Sequence, residues 1–286
     1  MSKIDQFESV FNAAAKTNYV YEEVQIKSVL VVTDLEVGAA EMFGGRTHDF
    51  LKALVKRQAP TWRIVSVSEY ENVADLLALI EKEQPSLICS YRNLCSDAWE
   101  WPYSLGEYLD VMTQVISSPV VVLPHPSAER ASEHAFENTN AVMAITDHLT
   151  YDHGLVNFSL ALTEEAGRLF LTHIERQPVF ERYVDVISKI PSIDTETARE
   201  ELLRQLLKEP HDYIRSCRAV LAAENIPIKV EEIIMLGRRL EEYERLVEER
   251  EVDLLVMNTK DVDQLAMHGL AYPLAVELRQ IPLLMI

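Results

Sequence analysis

Two carboxylates stand at the ends of apolar runs. Ser28-Val-Leu-Val-Val-Thr-Asp34 stops on Asp34, and Ala141-Val-Met-Ala-Ile-Thr-Asp147 repeats the phrase later in the chain and stops on Asp147. Each run is free of charge, the composition of a strand buried on both faces of a parallel sheet. In open α/β sheets, ligands sit beyond the carboxyl ends of the strands. Asp34 and Asp147 are thus placed to face a ligand; the alternative is that each caps the following segment or accepts from loop amides. The recurrence reads as one unit written twice.

Other reactive groups gather in two loops. Tyr91-Arg92-Asn93 leads to Trp99-Glu100-Trp101-Pro102-Tyr103-Ser104. Arg92 is a possible anion partner, and the tryptophans could stack on a ligand or fill the cleft that it would occupy. The counterpart, Asn258-Thr259-Lys260-Asp261 followed by Met267-His268-Gly269 and Tyr272, carries one cation, Lys260, suited to a small anion or a salt bridge. The Asp147-His148 and Asp152-His153 neighbours suggest a metal or a triad, but no His-x3-His or His-Glu-x2-His spacing supports either. No nucleophile elbow, P-loop or paired-carboxylate signature occurs, so no catalytic set is expected and the chain reads as a non-enzyme.

Composition narrows the partners. The chain has 286 residues, with 27 basic side chains against 46 acidic ones and a formal net charge of −19. Such a field repels nucleic acid and anionic lipid, so neither is an expected partner. Three cysteines, Cys89, Cys95 and Cys217, match no zinc or disulfide spacing. Reduced thiols and a cytoplasmic protein are expected, with Cys89 and Cys217 in the core and Cys95 exposed. There is no apolar run of bilayer length, and Met-Ser-Lys-Ile-Asp-Gln-Phe-Glu at the start has no apolar signal core. Only 8 glycines occur, few for loops that cradle phosphate.

The elements that must position these residues alternate. Residues 1–26 read as an extension whose Ile4, Phe7, Val10 and Phe11 share a helix face that covers the body. The first half, 27–124, reads as strands at Ser28, Arg63, Ser86 and Pro119 with helices between them. Ser104 reads as the cap of the third helix. A polar linker, 125–139, follows. The second half, 140–286, has strands at Ala141, Leu169, Ile228, Val252 and Pro282. It also contains a helical insertion over about 175–225, with Asp194 or Thr195 as a cap and Pro210 as a break. Phe180, Tyr183, Val184 and Ile187 of that insertion could form a pocket or simply lid the second sheet. Alternation of this kind predicts α/β architecture: two tandem, open, Rossmann-like parallel sheets with helices on both faces. Both halves close with proline and an apolar strand, Pro119-Val-Val-Val and Pro282-Leu-Leu-Met. Those two edges must pair, with each other or with a second molecule.

The order of strand ending in Asp, helix, strand, helix, apolar strand, loop, helix and proline-led strand resembles the universal stress protein family in its tandem form. The resemblance spans about 27–124 and 140–286. It implies an adenine nucleotide alpha hydrolase-like fold. In nucleotide-binding members an Asp closing the first strand contacts adenosine, and a Gly-x2-Gly-x9-Gly-Ser/Thr loop cradles ribose and phosphates. Asp34 and Asp147 match that Asp. The loop falls on Ser90, Asn93, Tyr103 and Ser104 in the first half, and on Asn258, Asp261, Ala271 and Tyr272 in the second. The spacing persists and the glycines do not; only Ser104 keeps the hydroxyl. Tyr103 places a ring, and Asp261 a negative charge, where phosphate would sit. Asn93 and Asn258 can still adopt left-handed backbone. The expectation is therefore that ATP binding is impaired or lost and that no cofactor is held. The protein would then act through protein contacts or another small ligand. The resemblance further implies a homodimer, and the alternative reading is a nucleotide-binding switch or slow ATPase.

Overall fold

The computed structural model describes residues 18–97, 104–127, 136–146, 149–150, 152–259 and 271–286. Its frame is a nine-stranded sheet in the order β2-β1-β3-β4-β9-β8-β5-β6-β7. The first half supplies β1 (Ser28–Val32), β2 (Thr61–Val65), β3 (Leu87–Tyr91) and β4 (Val120–Leu123). The second supplies β5 (Ala141–Ile145), β6 (Arg168–Arg176), β7 (Lys229–Gly237), β8 (Leu254–Met257) and β9 (Leu283–Met285). Within each half all strands run parallel. Their buried patterns fit: β3, β4, β5, β8 and β9 have every residue inside.

The halves are joined where each of them ends. β4 and β9 pair antiparallel, Val120 with Met285, Val121 with Leu284 and Val122 with Leu283. The two proline-led edges therefore satisfy each other within one chain. The sheet's outer edges are β2 and β7.

Between 16 and 28 residues separate most consecutive strands, room for a crossover helix. These are α1 (Val37–Phe50), α2 (Lys52–Gln58), α3 (Val73–Glu83), α4 (Glu107–Val115), α5 (His153–Leu162), α8 (Arg239–Glu249) and α9 (Ala271–Glu277). The longer β6–β7 connection holds α6 (Gln177–Ser188) and α7 (Thr195–Ala223), where the insertion was expected. Asp194 caps α7, accepting from the Thr197 amide at 2.8 Å. Pro210 does not end the helix as its sequence position suggests; α7 runs through it. Proline forfeits one helical donor, a loss that packing of the buried Pro210, Tyr213, Ile214 and Cys217 outweighs.

Two arginines of the first half lock onto helix ends of the second. Arg57 of α2 donates to the Leu160 and Thr163 carbonyls at the end of α5, both at 2.7 Å. Arg92, just after β3, donates to the carbonyls of Ala275 and, at 2.7 Å, of Leu278 at the end of α9. A helix C-terminus leaves its last carbonyls without partners and carries partial negative charge, which suits a guanidinium. Residues 18–26 bridge the halves: Val24 and Ile26 bond to the Gln58 side chain of the first, and Tyr19 lies on the second. The Tyr19 amide donates to Ser216 Oγ at 2.9 Å, its hydroxyl donates to Asn157, and its ring packs edge-on against His153 and Tyr213. The expected helix carrying Ile4 to Phe11 lies outside the described residues.

Candidate functional site

The sheet order makes a crevice between β1 and β3, where the chain leaves in opposite directions along the sheet. Asp34 sits beyond the end of β1, at its mouth. Both carboxylate oxygens are engaged. The Tyr91 hydroxyl donates to Oδ1, and the Cys95 amide donates to Oδ2 at 2.6 Å. The same phenol accepts from the Asp34 amide at 3.0 Å, closing a small ring of bonds. Burial, together with the bond to Asp34, raises the Tyr91 pKa above the ordinary phenol range, so the hydroxyl stays protonated as the donor.

Side chains fill the space around this pair. His125 and Phe43 each pack edge-on to the Tyr91 ring with centroids 5.1 Å away. Burial lowers the His125 pKa, opposed by Asp34 and Asp97. Tyr70 donates to the Thr33 carbonyl at 3.0 Å, and its oxygen lies 3.6 Å from Cys95 Sγ. Cys89 and Cys217 are buried and Cys95 is exposed, as the sequence suggests.

The remaining loop positions diverge in role. Ser90 is fully buried and donates to the Val32 carbonyl at 3.1 Å, which ties β3 to β1 and turns the hydroxyl away from any ligand. Asn93 adopts φ 57, the left-handed backbone that glycine would supply. Its amide donates to the Leu105 carbonyl at 2.7 Å. Ser104 Oγ accepts from the Gly106 amide at 3.3 Å, and Gly106, not Ser104, is the N-cap of α4. The hydroxyl thus serves the turn one step ahead of the helix. Tyr103, Trp99 and Trp101 lie outside the described residues. Arg92 is not available to an anion: it is buried and committed to the α9 carbonyls, and burial, with Arg279 nearby, lowers its pKa.

Gly106 fixes the loop. Its φ is +94, and a Cβ there would lie 2.6 Å from Asn93 Cα and 3.0 Å from Asn93 N. Backbone cannot yield as a side-chain tip can. Gly106→Ala is expected to destabilise the protein by roughly 1–3 kcal/mol, read as a lowered denaturant midpoint with an unchanged m-value.

In the second half the equivalent crevice lies between β5 and β8. Asp147, Asp261 and His148 lie outside the described residues. Asn258 donates to Asp152 Oδ2 at 2.5 Å, while Asp152 Oδ1 caps α5 by accepting from the Leu155 amide at 3.1 Å. Burial pushes the Asp152 pKa up, against these bonds. Ala271 is buried at the start of α9. His153 Nδ1 lies 2.9 Å from the Tyr213 hydroxyl, and the two rings stack. Among the described residues no group of three His, Cys, Asp or Glu side chains could hold a metal, and no helix is long and apolar enough to cross a membrane.

Sequence reading missed three partners. Tyr91 reads in the sequence as part of an aromatic loop, although its place at the end of β3, opposite Asp34, is the signal for a bond across neighbouring strands. Asp152 pairs by sequence with His153, although Asp three residues before Leu155 at the head of an apolar run is an N-cap signature. Arg57 had no signal, because its partners are backbone carbonyls of the other half.

No family model matches the chain, and no curated protein is similar to it. Solved structures are. A universal stress protein from Archaeoglobus fulgidus is similar with a TM-score of 0.50 at 11% identity, covering 92% of this chain and 97% of that one. A protein of unknown function from Pseudomonas aeruginosa PAO1 aligns with a TM-score of 0.47 at 11% identity, over 91% of this chain and 92% of its own. At such identity the likeness is one of architecture, and it agrees with the largely parallel α/β sheet and nearly full-length coverage: this chain has the fold of the Archaeoglobus fulgidus universal stress protein.

Proposed function

We propose that this chain is a tandem universal stress protein without enzymatic activity. In this reading it is a cytoplasmic homodimer that works in a stress response through protein contacts or an unidentified small ligand, with ATP binding impaired or lost. The observation that supports it most is the Asp34 carboxylate, whose two oxygens are taken by Tyr91 and the Cys95 amide. An adenosine group reaching Asp34 would have to compete with charge-assisted bonds worth about 1.5–3 kcal/mol each. The missing glycines add to this cost. Isothermal titration with ATP and magnesium at millimolar nucleotide is expected to give no saturable heat. Native mass spectrometry of the purified protein is expected to give the mass of protein alone. A nucleotide adduct in the second, or a saturable isotherm in the first, would defeat this reading.

A nucleotide-binding switch is the alternative, supported by the left-handed Asn93, which keeps the turn of a phosphate loop without its glycine. It requires that Asp34→Ala or Asp147→Ala abolish binding. If ATP binds and both variants bind it as tightly, the switch is not built on these carboxylates.

A further inference from the structure

The α6–α7 hairpin presents an apolar face with no partner among the described residues. Eight large hydrophobic side chains are exposed among the described residues, and four are clustered here: Tyr183 at 52%, Val186 at 54%, Ile190 at 41% and Ile193 at 42%. Tyr183 and Val186, with Val179, Arg182, Ile187 and Leu202, line an open groove of about 720 Å³. Helix α6 has two apolar stripes. Phe180 and Val184 turn inward and are buried. Val179, Tyr183 and Val186 recur at spacings of four and three, the repeat of a helix seam that packs against another helix, and Ile190, two residues past the helix end, extends it. The first stripe completes the core; the second is left uncovered among the described residues.

We propose that this seam docks a second copy of the chain. Three observations favour a copy over other occupants. First, the β4–β9 pairing consumes both closing strands inside one chain, so self-association must use another surface. Second, the chain carries −19, which sets two copies against each other almost everywhere. Over 177–190, however, Glu181 and Asp185 are balanced by Arg182 and Lys189, so this helix is locally neutral. Glu181 is paired with Arg199 at 2.7 Å and Asp185 with Lys189 at 2.7 Å, which leaves little charge to repel an identical face. Third, the seam is self-complementary. Antiparallel contact about a twofold axis between Tyr183 and Val186 sets Tyr183 of one copy against Val186 of the other, and Val179 against Ile190. Leu202, Leu203, Leu206 and Leu207 of α7 are only partly covered and extend the contact, so two hairpins together form a four-helix bundle.

The proposal rests on the homodimer in the preceding reading and names its surface. Sedimentation velocity over a concentration series tests it, with thermal unfolding of every variant as the fold control. The native chain is expected to dimerise. Tyr183→Glu combined with Val186→Glu is expected to raise the dimer dissociation constant at least about a hundredfold while leaving unfolding unchanged when both proteins are compared at concentrations where they are monomeric, because both positions are already solvent-exposed in one copy. Met42→Glu, at an exposed site on α1, is expected to leave the dimer intact. A dimer that survives the double variant overturns this surface and leaves the homodimer standing. A native chain that stays monomeric overturns both.

Discussion

Arg92→Met is expected to lower the stability of the whole protein by about 2–6 kcal/mol, because two buried carbonyls lose their donors at roughly 1–3 kcal/mol each. Those carbonyls, of Ala275 and Leu278, end α9 and belong to the other half. Methionine keeps much of the aliphatic volume, so the loss reads the hydrogen bonds more than the packing. Arg92→Lys is expected to recover little. An ammonium is a point donor and cannot hold two carbonyls as the planar fork does. The check is chemical denaturation of both variants, with the lysine variant close to the methionine one. Near-native stability in Arg92→Met would mean that the α9 end is satisfied in another way and that the halves are held chiefly by the sheet. The same comparison at Arg57, which is exposed where Arg92 is buried, should give a smaller loss.

Leu284→Ala should cost about 2–5 kcal/mol, in the range for burying a cavity where leucine stood. Leu284 is fully buried and sits in a three-residue strand between β4 and β8, opposite Val121 and Val256. So short a strand has few bonds of its own and depends on what its side chains bury. The loss should appear as one cooperative transition if the nine strands unfold together. Two separated transitions in the variant, where the native chain shows one, would mean that the seam between β4 and β9 is the weakest link and that each half retains its own core. An effect below about 1 kcal/mol would mean that neighbouring side chains collapse into the space.

The sequence by itself determined the strand and helix order. Runs such as Val29 to Val32 and Val142 to Ile145 have one stable use, in the interior of a parallel sheet, because their side chains must be covered on both faces. The nine strands, the place of the insertion and the need to pair the two proline-led edges all follow from that one constraint. Residue pattern also indicated the left-handed Asn93, since asparagine tolerates the backbone that glycine leaves behind.

Only the tertiary structure decided what the polar groups do. Asp34 at the end of a strand is the same residue whether it awaits a ligand or accepts from Tyr91 and Cys95, partners 57 and 61 positions away. Arg92 looks like an anion site in the sequence, yet it is buried against helix ends 183 and 186 positions on. Pro210 reads as a stop and is carried through by packing. Apolar burial follows from local pattern, because water is the alternative everywhere along the chain. A hydrogen bond depends on which distant atom the fold brings within 3 Å, and no local pattern contains that distance.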